Sequence, residues 1–306
     1  VLARATQTLP NTGIANATYA LAMRFGVMMQ TTDRSMSPVQ LAQEAEARGY
    51  ACIYLPEHTH IPTSRRTPPP TGTDELSETY FRTLDPYIAL AACAQATNTV
   101  GLGVGVALPA QHDPIAFAKQ CATLDWISGG RLVLGIGYGW NYEEMENHGI
   151  DVSRRRALVR EHMLCAQALW GNEIAEFHGE FVNMEPSWCW PKPVQQPRIR
   201  TIIGAAPGPT TFAHIAEFGD GWMPIGGAGM RSALAELGET MGVAGRSLDE
   251  LELVTYGTHP DPGKLAYYRD IGITEVVLRF PHGGSADDVL PVLDDYTRWI
   301  KEFGTA

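Results

Sequence analysis

The stretch YLPEHTHIP, Tyr54 to Pro62, sets a carboxylate and two imidazoles, Glu57, His58 and His60, directly after a short apolar run. Histidine beside a carboxylate can donate or accept a proton near neutrality, which is the equipment of general acid–base chemistry. A metal site would need a third ligand that the local sequence does not supply, and a purely structural loop histidine is the competing reading. The remaining candidates, His112, His148 and His282, lie in less suggestive surroundings. A second stretch, IIGAAPGPTTFAHIAEF, places Gly204, Gly208 and Thr210 just ahead of a helical run from Thr211 to Phe218. Free backbone N–H groups at the positive end of a helix dipole would hold a phosphate there, although a small-residue turn feeding any helix would read alike.

Two apolar runs carry glycine at every second position: Gly101, Gly103 and Gly105 in VGLGVGVALP, and Gly135, Gly137 and Gly139 in RLVLGIGYGW. Alternate residues of a strand share a face, so the pattern predicts two adjoining strands with bare backbone on one side, a smooth wall for a planar ring. The alternatives are outward-facing glycines that let helices approach, or a bulge. A dinucleotide fingerprint fails because Trp140 stands where its last glycine belongs. There is no P-loop, no G-x-S-x-G and no H-E-x-x-H. Glu57, Glu143, Glu144 and Glu185 keep a paired-carboxylate glycosidase as a competitor.

Groups on loops need a frame. Eight strand candidates, Arg24–Met29, Ala51–Leu55, Val100–Leu108, Leu132–Ile136, Ile199–Ile203, Gly221–Pro224, Leu251–Tyr256 and Glu275–Arg279, alternate with helical spacing. Ser37-Pro38, Asp85-Pro86, Asp113-Pro114 and Asp261-Pro262 each pair a capping side chain with a proline suited to the first helical turn. The pattern predicts an α/β (β/α)₈ barrel with catalytic parts after the strands, and a doubly wound open sheet is the runner-up. Residues 56–84 and 172–198 are too long for simple turns, and the second predicts a hairpin around His178-Gly179.

Of 306 residues, 44% are hydrophobic and 19% charged, the composition of a globular chain with room for a large core. A formal net charge of -11 argues against nucleic acid or an anionic membrane as partner. No apolar run reaches the ~18 residues needed to span a bilayer. Five scattered cysteines form no C-x-x-C pair and read as reduced core residues of a cytoplasmic protein. Residues 1–22 lack a secretory pattern and read as an extension ahead of one domain over 23–306.

Taken together, EHTHIPTS, LPAQHDPIAFAKQCATLDWISGGRLVLGIGYGWNYEEMENHGID, FHGEFVNME, PKPVQQP and GDGWMP resemble the bacterial luciferase-like monooxygenase family, nearest its actinobacterial deazaflavin-dependent branch. The likeness runs from about Met23 to Trp222. It implies a TIM barrel with coenzyme F420, or alternatively FMN, across the C-terminal mouth. Carried over, Gly105, Val106 and Ala107 form the ring platform, where relatives often have a non-proline cis peptide. Tyr138, Gly139 and Trp140 line the next side, and Gly204, Ala206, Gly208 and Thr210 hold the phosphate. His58 matches a histidine over the reactive carbon, with Glu57 to orient it. The sugar-phosphate dehydrogenase relatives have tryptophan where Pro62 stands and an acid where Trp140 stands, so their substrate does not transfer.

The expected activity is hydride transfer between F420 and a small, largely apolar molecule bearing a carbonyl or activated double bond, with Met29, Trp140, Trp188 and Trp190 as apolar lining. An FMN-dependent monooxygenase and a catalytically silent flavin-binding protein are the alternatives. Relatives are commonly homodimers, and no metal is expected. A chain lacking residues 1–22 is expected to retain its circular dichroism spectrum and cooperative melting; loss of folding would refute the extension reading.

Overall fold

Four helices begin as their sequences require. Ser37, Asp85, Asp113 and Asp261 each accept a hydrogen bond from a first-turn backbone N–H, and each is followed by proline at the start of the helix. The computed structural model describes residues 23–69, 75–226 and 229–304; the extension expected at 1–22 lies outside them. The strands are β1 (Arg24–Met28), β2 (Cys52–Leu55), β3 (Gly101–Ala107), β4 (Leu132–Ile136), β5 (Ala175–His178), β6 (Asn183–Ser187), β7 (Thr201–Ile203), β8 (Gly221–Trp222), β9 (Glu252–Thr258) and β10 (Glu275–Arg279). The helices are α1 (Pro38–Ala47), α2 (Glu78–Phe81), α3 (Pro86–Ala96), α4 (Pro114–Ser128), α5 (Tyr142–Asn147), α6 (Arg155–Gly171), α7 (Pro209–Phe218), α8 (Met230–Val243), α9 (Pro262–Asp270) and α10 (Ala286–Phe303).

Eight of these strands close into a parallel barrel in the order β1-β2-β3-β4-β7-β8-β9-β10, and β5 and β6 form the separate antiparallel hairpin. Closure rules out the open doubly wound sheet. The long connection 56–84 carries α2, and 172–198 carries the hairpin where the sequence placed it.

The strands alternate between two cores. Phe25, Val27, Ile53, Leu102, Val104, Leu132, Leu134 and Ile203 face outward into the layer shared with the helices. Cys52, Tyr54, Val133, Ile202, Met223, Val254, Tyr256 and Val277 fill the barrel interior, with Met28 and Val106 packed at its edge. The N-terminal end is closed by charge: Arg24 lies 3.3 Å from Glu275 and Arg200 lies 2.7 Å from Glu252.

The glycine columns also face inward, but they do not leave an empty shelf. A Cβ at Gly103 would collide with the Tyr54 ring, one at Gly105 would stand 2.7 Å from the Tyr256 hydroxyl, and one at Gly135 would stand 2.6 Å from Met223. Cβ atoms at Gly137 and Gly204 would collide with the methyls of Val106. The space is therefore taken by the protein's own side chains, which reach across a barrel too narrow to hold a second Cβ. Gly139 leaves the pattern: its φ of 77° turns it out of the strand, and a Cβ there would meet Met145 of α5.

Gly103→Ala is expected to destabilise the fold by roughly 1–3 kcal/mol through overpacking against Tyr54, read from the midpoint of urea denaturation. An unchanged midpoint would show that the interior has slack.

Candidate active site at the C-terminal mouth

The chain rises from β2 through Pro56 into the segment that carries Glu57 and His58. His58 Nδ1 lies 2.8 Å from Glu144 Oε2, and the backbone N–H of Thr59 donates to Glu144 Oε1 at 3.0 Å. A carboxylate only accepts, so the ring proton on that side resides on Nδ1 and Nε2 is left to face the mouth. The pair is well shielded, with side-chain exposures of 8% for His58 and 1% for Glu144. Glu144 sits in the first turn of α5, which Asn141 caps by accepting from the Glu144 N–H at 3.2 Å.

Glu57 does not orient His58. Its carboxylate instead accepts from the Leu108 N–H at 2.6 Å and from His112 Nε2 at 2.7 Å. Glu57 thereby ties the loop after β2 to the end of β3, immediately beyond Gly105, Val106 and Ala107. Burial would depress the His112 pKa, but the hydrogen bond and charge of Glu57 prevail and raise it. The Gly105–Val106 peptide is cis, and the buried Tyr256 hydroxyl donates to the Gly105 carbonyl. Val106 is half-buried on the interior cluster and forms the floor of the mouth beside Met28.

Trp140 stands edge-on to His58, with ring centroids 5.8 Å apart, and Tyr80 of α2 completes the group at 5.5 Å from His58 and 5.9 Å from Trp140. Tyr138 is turned away. It is buried, its hydroxyl lies 2.8 Å from His214 Nδ1 on α7, and Arg156 stacks on its ring at 4.7 Å. Burial pushes the Tyr138 phenol up to about 12, against the pull of Arg156.

Met29 lies wholly buried in the outer core, so Met28 is the methionine of the mouth. Trp188 and Trp190 are exposed on the strap beyond β6, where the Trp190 carbonyl meets Lys119 of α4 on the barrel's outside. They lie on the outer helical layer because the hairpin packs against α6 and the strap that follows it packs against α4.

Gly204 and Ala206 line a cavity of about 190 Å³ together with Pro207, Trp222, Ile225 and Met230. Gly208 is the N-cap of α7, with no side-chain cap bond, and Pro209 follows. The first-turn N–H groups of Thr210 and Thr211 have no partner among the described residues. Such a helix start, with Thr210 exposed on it, fits a phosphate.

With this geometry in view, the sequence pattern of the luciferase-like monooxygenase family matches residues 18–259. The chain belongs to that family. An uncharacterized protein of Mycobacterium tuberculosis (strain ATCC 25618 / H37Rv) is 42% identical over 270 residues, covering 87% of this chain and 94% of the relative. Among solved structures, the monooxygenase RslO1 from Streptomyces bottropensis superposes with a TM-score of 0.73 at 19% identity, covering 92% of this chain and 99% of that one. The coenzyme F420 dependent tetrahydromethanopterin reductase from Methanopyrus kandleri gives 0.70 at 18% identity, again covering 92% and 99%. At these identities the two structures speak for the fold, which is the luciferase-like barrel.

Sequence reasoning missed the His58–Glu144 contact and the place of Tyr80. The Asn141-x-x-Glu144 spacing signals a helix start and could have located α5, but nothing local links it to His58.

Next to Glu144, Glu143 fastens the outer loop. It accepts from the Arg66 N–H at 2.6 Å, the Thr67 N–H at 3.1 Å and the Thr67 hydroxyl at 2.6 Å. Burial works against its charge, yet these donors hold its pKa down at about 2. A carboxylate depressed in the folded state stabilises the protein above its unfolded pKa of about 4.3 and loses that contribution as pH falls towards the folded value. Glu143→Gln is therefore expected to lower stability by roughly 1–3 kcal/mol at pH 7 and by progressively less between pH 4 and pH 3, measured by urea denaturation. An equal loss at both pH values would assign the effect to shape and not to charge.

Proposed function

We propose that the protein is an F420-dependent oxidoreductase that moves a hydride between the deazaflavin and a small organic carbonyl or activated alkene. The carrying observation is His58, clamped by Glu144 so that Nε2 faces the mouth, above a floor built on the Gly105–Val106 turn. The deazaflavin would supply a two-electron hydride donor and acceptor. The residues fit such a group: Val106 under the ring, with the buried Gly105 and Ala107 holding it in place from either side, Trp140 at its side, and Gly204, Ala206, Gly208 and Thr210 with the open start of α7 for its phosphate.

His58 supplies the proton. Glu144 holds the Nδ1 proton in place, so that Nε2, when it carries the second proton, can deliver it to the substrate and take one back in the reverse direction. Glu57 acts at one remove by pinning the Leu108 backbone beneath the floor. The F420 reading draws on the name of the Methanopyrus kandleri reductase; a monooxygenase, as RslO1 is named, is the second reading, with FMN as its cofactor because the phosphate site suits both.

Parallel spectral titrations with F420 and FMN are expected to give tight binding of the deazaflavin. Preference for FMN, with oxygen consumed on reduction, would move the assignment to the monooxygenase. His58→Ala is expected to lower turnover about 10²- to 10⁴-fold with little change in cofactor affinity, and Glu144→Gln to lower it more than Glu57→Gln. Unaltered turnover in His58→Ala would remove His58 from the chemistry.

A further inference from the structure

Tyr80 rides on the single turn α2, yet that turn is firmly held. The Thr79 hydroxyl donates to Gln30 Oε1 at 2.6 Å in a buried contact, the Leu84 N–H donates to the Thr31 carbonyl at 3.1 Å, and Arg82 pairs with Asp33 at 2.8 Å. Gln30 is fixed in turn, its N–H donating to His282 Nδ1 at 3.2 Å and its carbonyl accepting from the Gly283 N–H at 3.0 Å. Burial and the charge of Arg279 push His282 down to about 4, so it remains the neutral acceptor that this bond needs. The loop after β1 and the loop after β10 thus hold the Tyr80 ring against His58 and Trp140.

The Tyr80 hydroxyl has no hydrogen-bond partner among the described residues and is not sealed from solvent. The same holds for His58 Nε2. Arg279 continues the inward alternation of Glu275 and Val277 to the mouth end of β10, where it is exposed and forms no ion pair among the described residues. Its charge acts on the Tyr80 phenol and opposes the effect of burial.

We propose that the Tyr80 hydroxyl is a second hydrogen-bond donor to the substrate oxygen, working beside His58 Nε2, and that the pair selects a ketone or aldehyde as substrate. This rests on the oxidoreductase reading above. A carbonyl oxygen has two lone pairs and gathers negative charge as hydride reaches its carbon, so two adjacent donors suit it better than one. In the reducing direction the carbonyl carbon would gain a hydride, the electron pair supplied by the reduced deazaflavin, as the C=O π pair moved to oxygen and oxygen took the His58 proton. The ketone would become an alcohol at the cost of a two-electron oxidation of the deazaflavin, and Tyr80 would keep its own proton. Arg279 is a positioning residue that polarises the phenol.

The test uses the full chain labelled with ¹³C at the tyrosine ζ carbon, the Tyr80 signal being the one missing from Tyr80→Phe. Cyclohexanone, added with and without oxidised F420, is expected to move that signal and leave the other tyrosines in place. Arg279→Gln is expected to raise the pH midpoint of the Tyr80 signal, with His58 and Tyr256 left unsubstituted, and to raise the His282 pKa as well, since the Arg279 charge lowers both. In turnover, Tyr80→Phe is expected to lower kcat for ketone reduction about 10²- to 10³-fold with F420 affinity unchanged. A Tyr80 signal indifferent to saturating ketone overturns the proposal whether or not hydride is transferred. A signal that moves in a protein that transfers no hydride supports the two-donor pocket and counts against the oxidoreductase reading.

Discussion

The mouth depends on how the barrel interior is filled. Tyr54 and Tyr256 reach across the axis at right angles, with ring centroids 6.1 Å apart, and each occupies the volume that a side chain on β3 would have taken. Edge-to-face pairs of this kind contribute about 0.5–1.5 kcal/mol beyond burial. The greater consequence is geometric. Tyr256 carries its hydroxyl to the Gly105 carbonyl at the point where β3 turns, and Val106 drops its methyls over Gly137 and Gly204. The floor of the site is therefore the top layer of the barrel core, and substitutions well below the mouth are felt at it.

Above that floor the long loops are fastened by buried carboxylates. Glu57 accepts from Leu108, Glu144 from Thr59, and Glu143 from Arg66 and Thr67. The same device recurs away from the site. Glu161 accepts the backbone N–H groups of Glu180, Phe181 and Val182 at the hairpin turn, and Asp125 accepts those of Val194 and Gln195 on the following strap. A loop that crosses a protein surface has backbone donors with no ladder partner, and one carboxylate can satisfy two or three of them. Part of the chain's acidity serves this purpose and says nothing about the charge of a ligand.

The division between aromatic and polar groups at the mouth follows from the same construction. Three rings, His58 and Tyr80 from the two ends of the long connection 56–84 and Trp140 from the loop after β4, pack tilted or edge to face, so each restricts the others. Their polar atoms face the open side because the buried side of the cluster is already bonded, through Glu144 behind His58 and through Gln30 beneath α2. Groups held this way keep their positions before a ligand arrives, which lowers the ordering cost of binding.

What the sequence determined by itself is local. Four cap-and-proline pairs started four helices, and the alternation of apolar and glycine residues marked the strands and the inward face. These follow from contacts within a turn or from the period of a strand, and family likeness supplied the region of the site. What filled the space beside the glycines was decided only by the closed barrel. Tyr256 meets Gly105 from 151 residues away and Glu144 meets His58 from 86 residues away, as register around the ring dictates. Glu57 and Glu144 are both acidic and both near strand ends, so residue type could not tell which one faces His58. The choice lay in which loop the barrel brings alongside, a three-dimensional fact with no local trace.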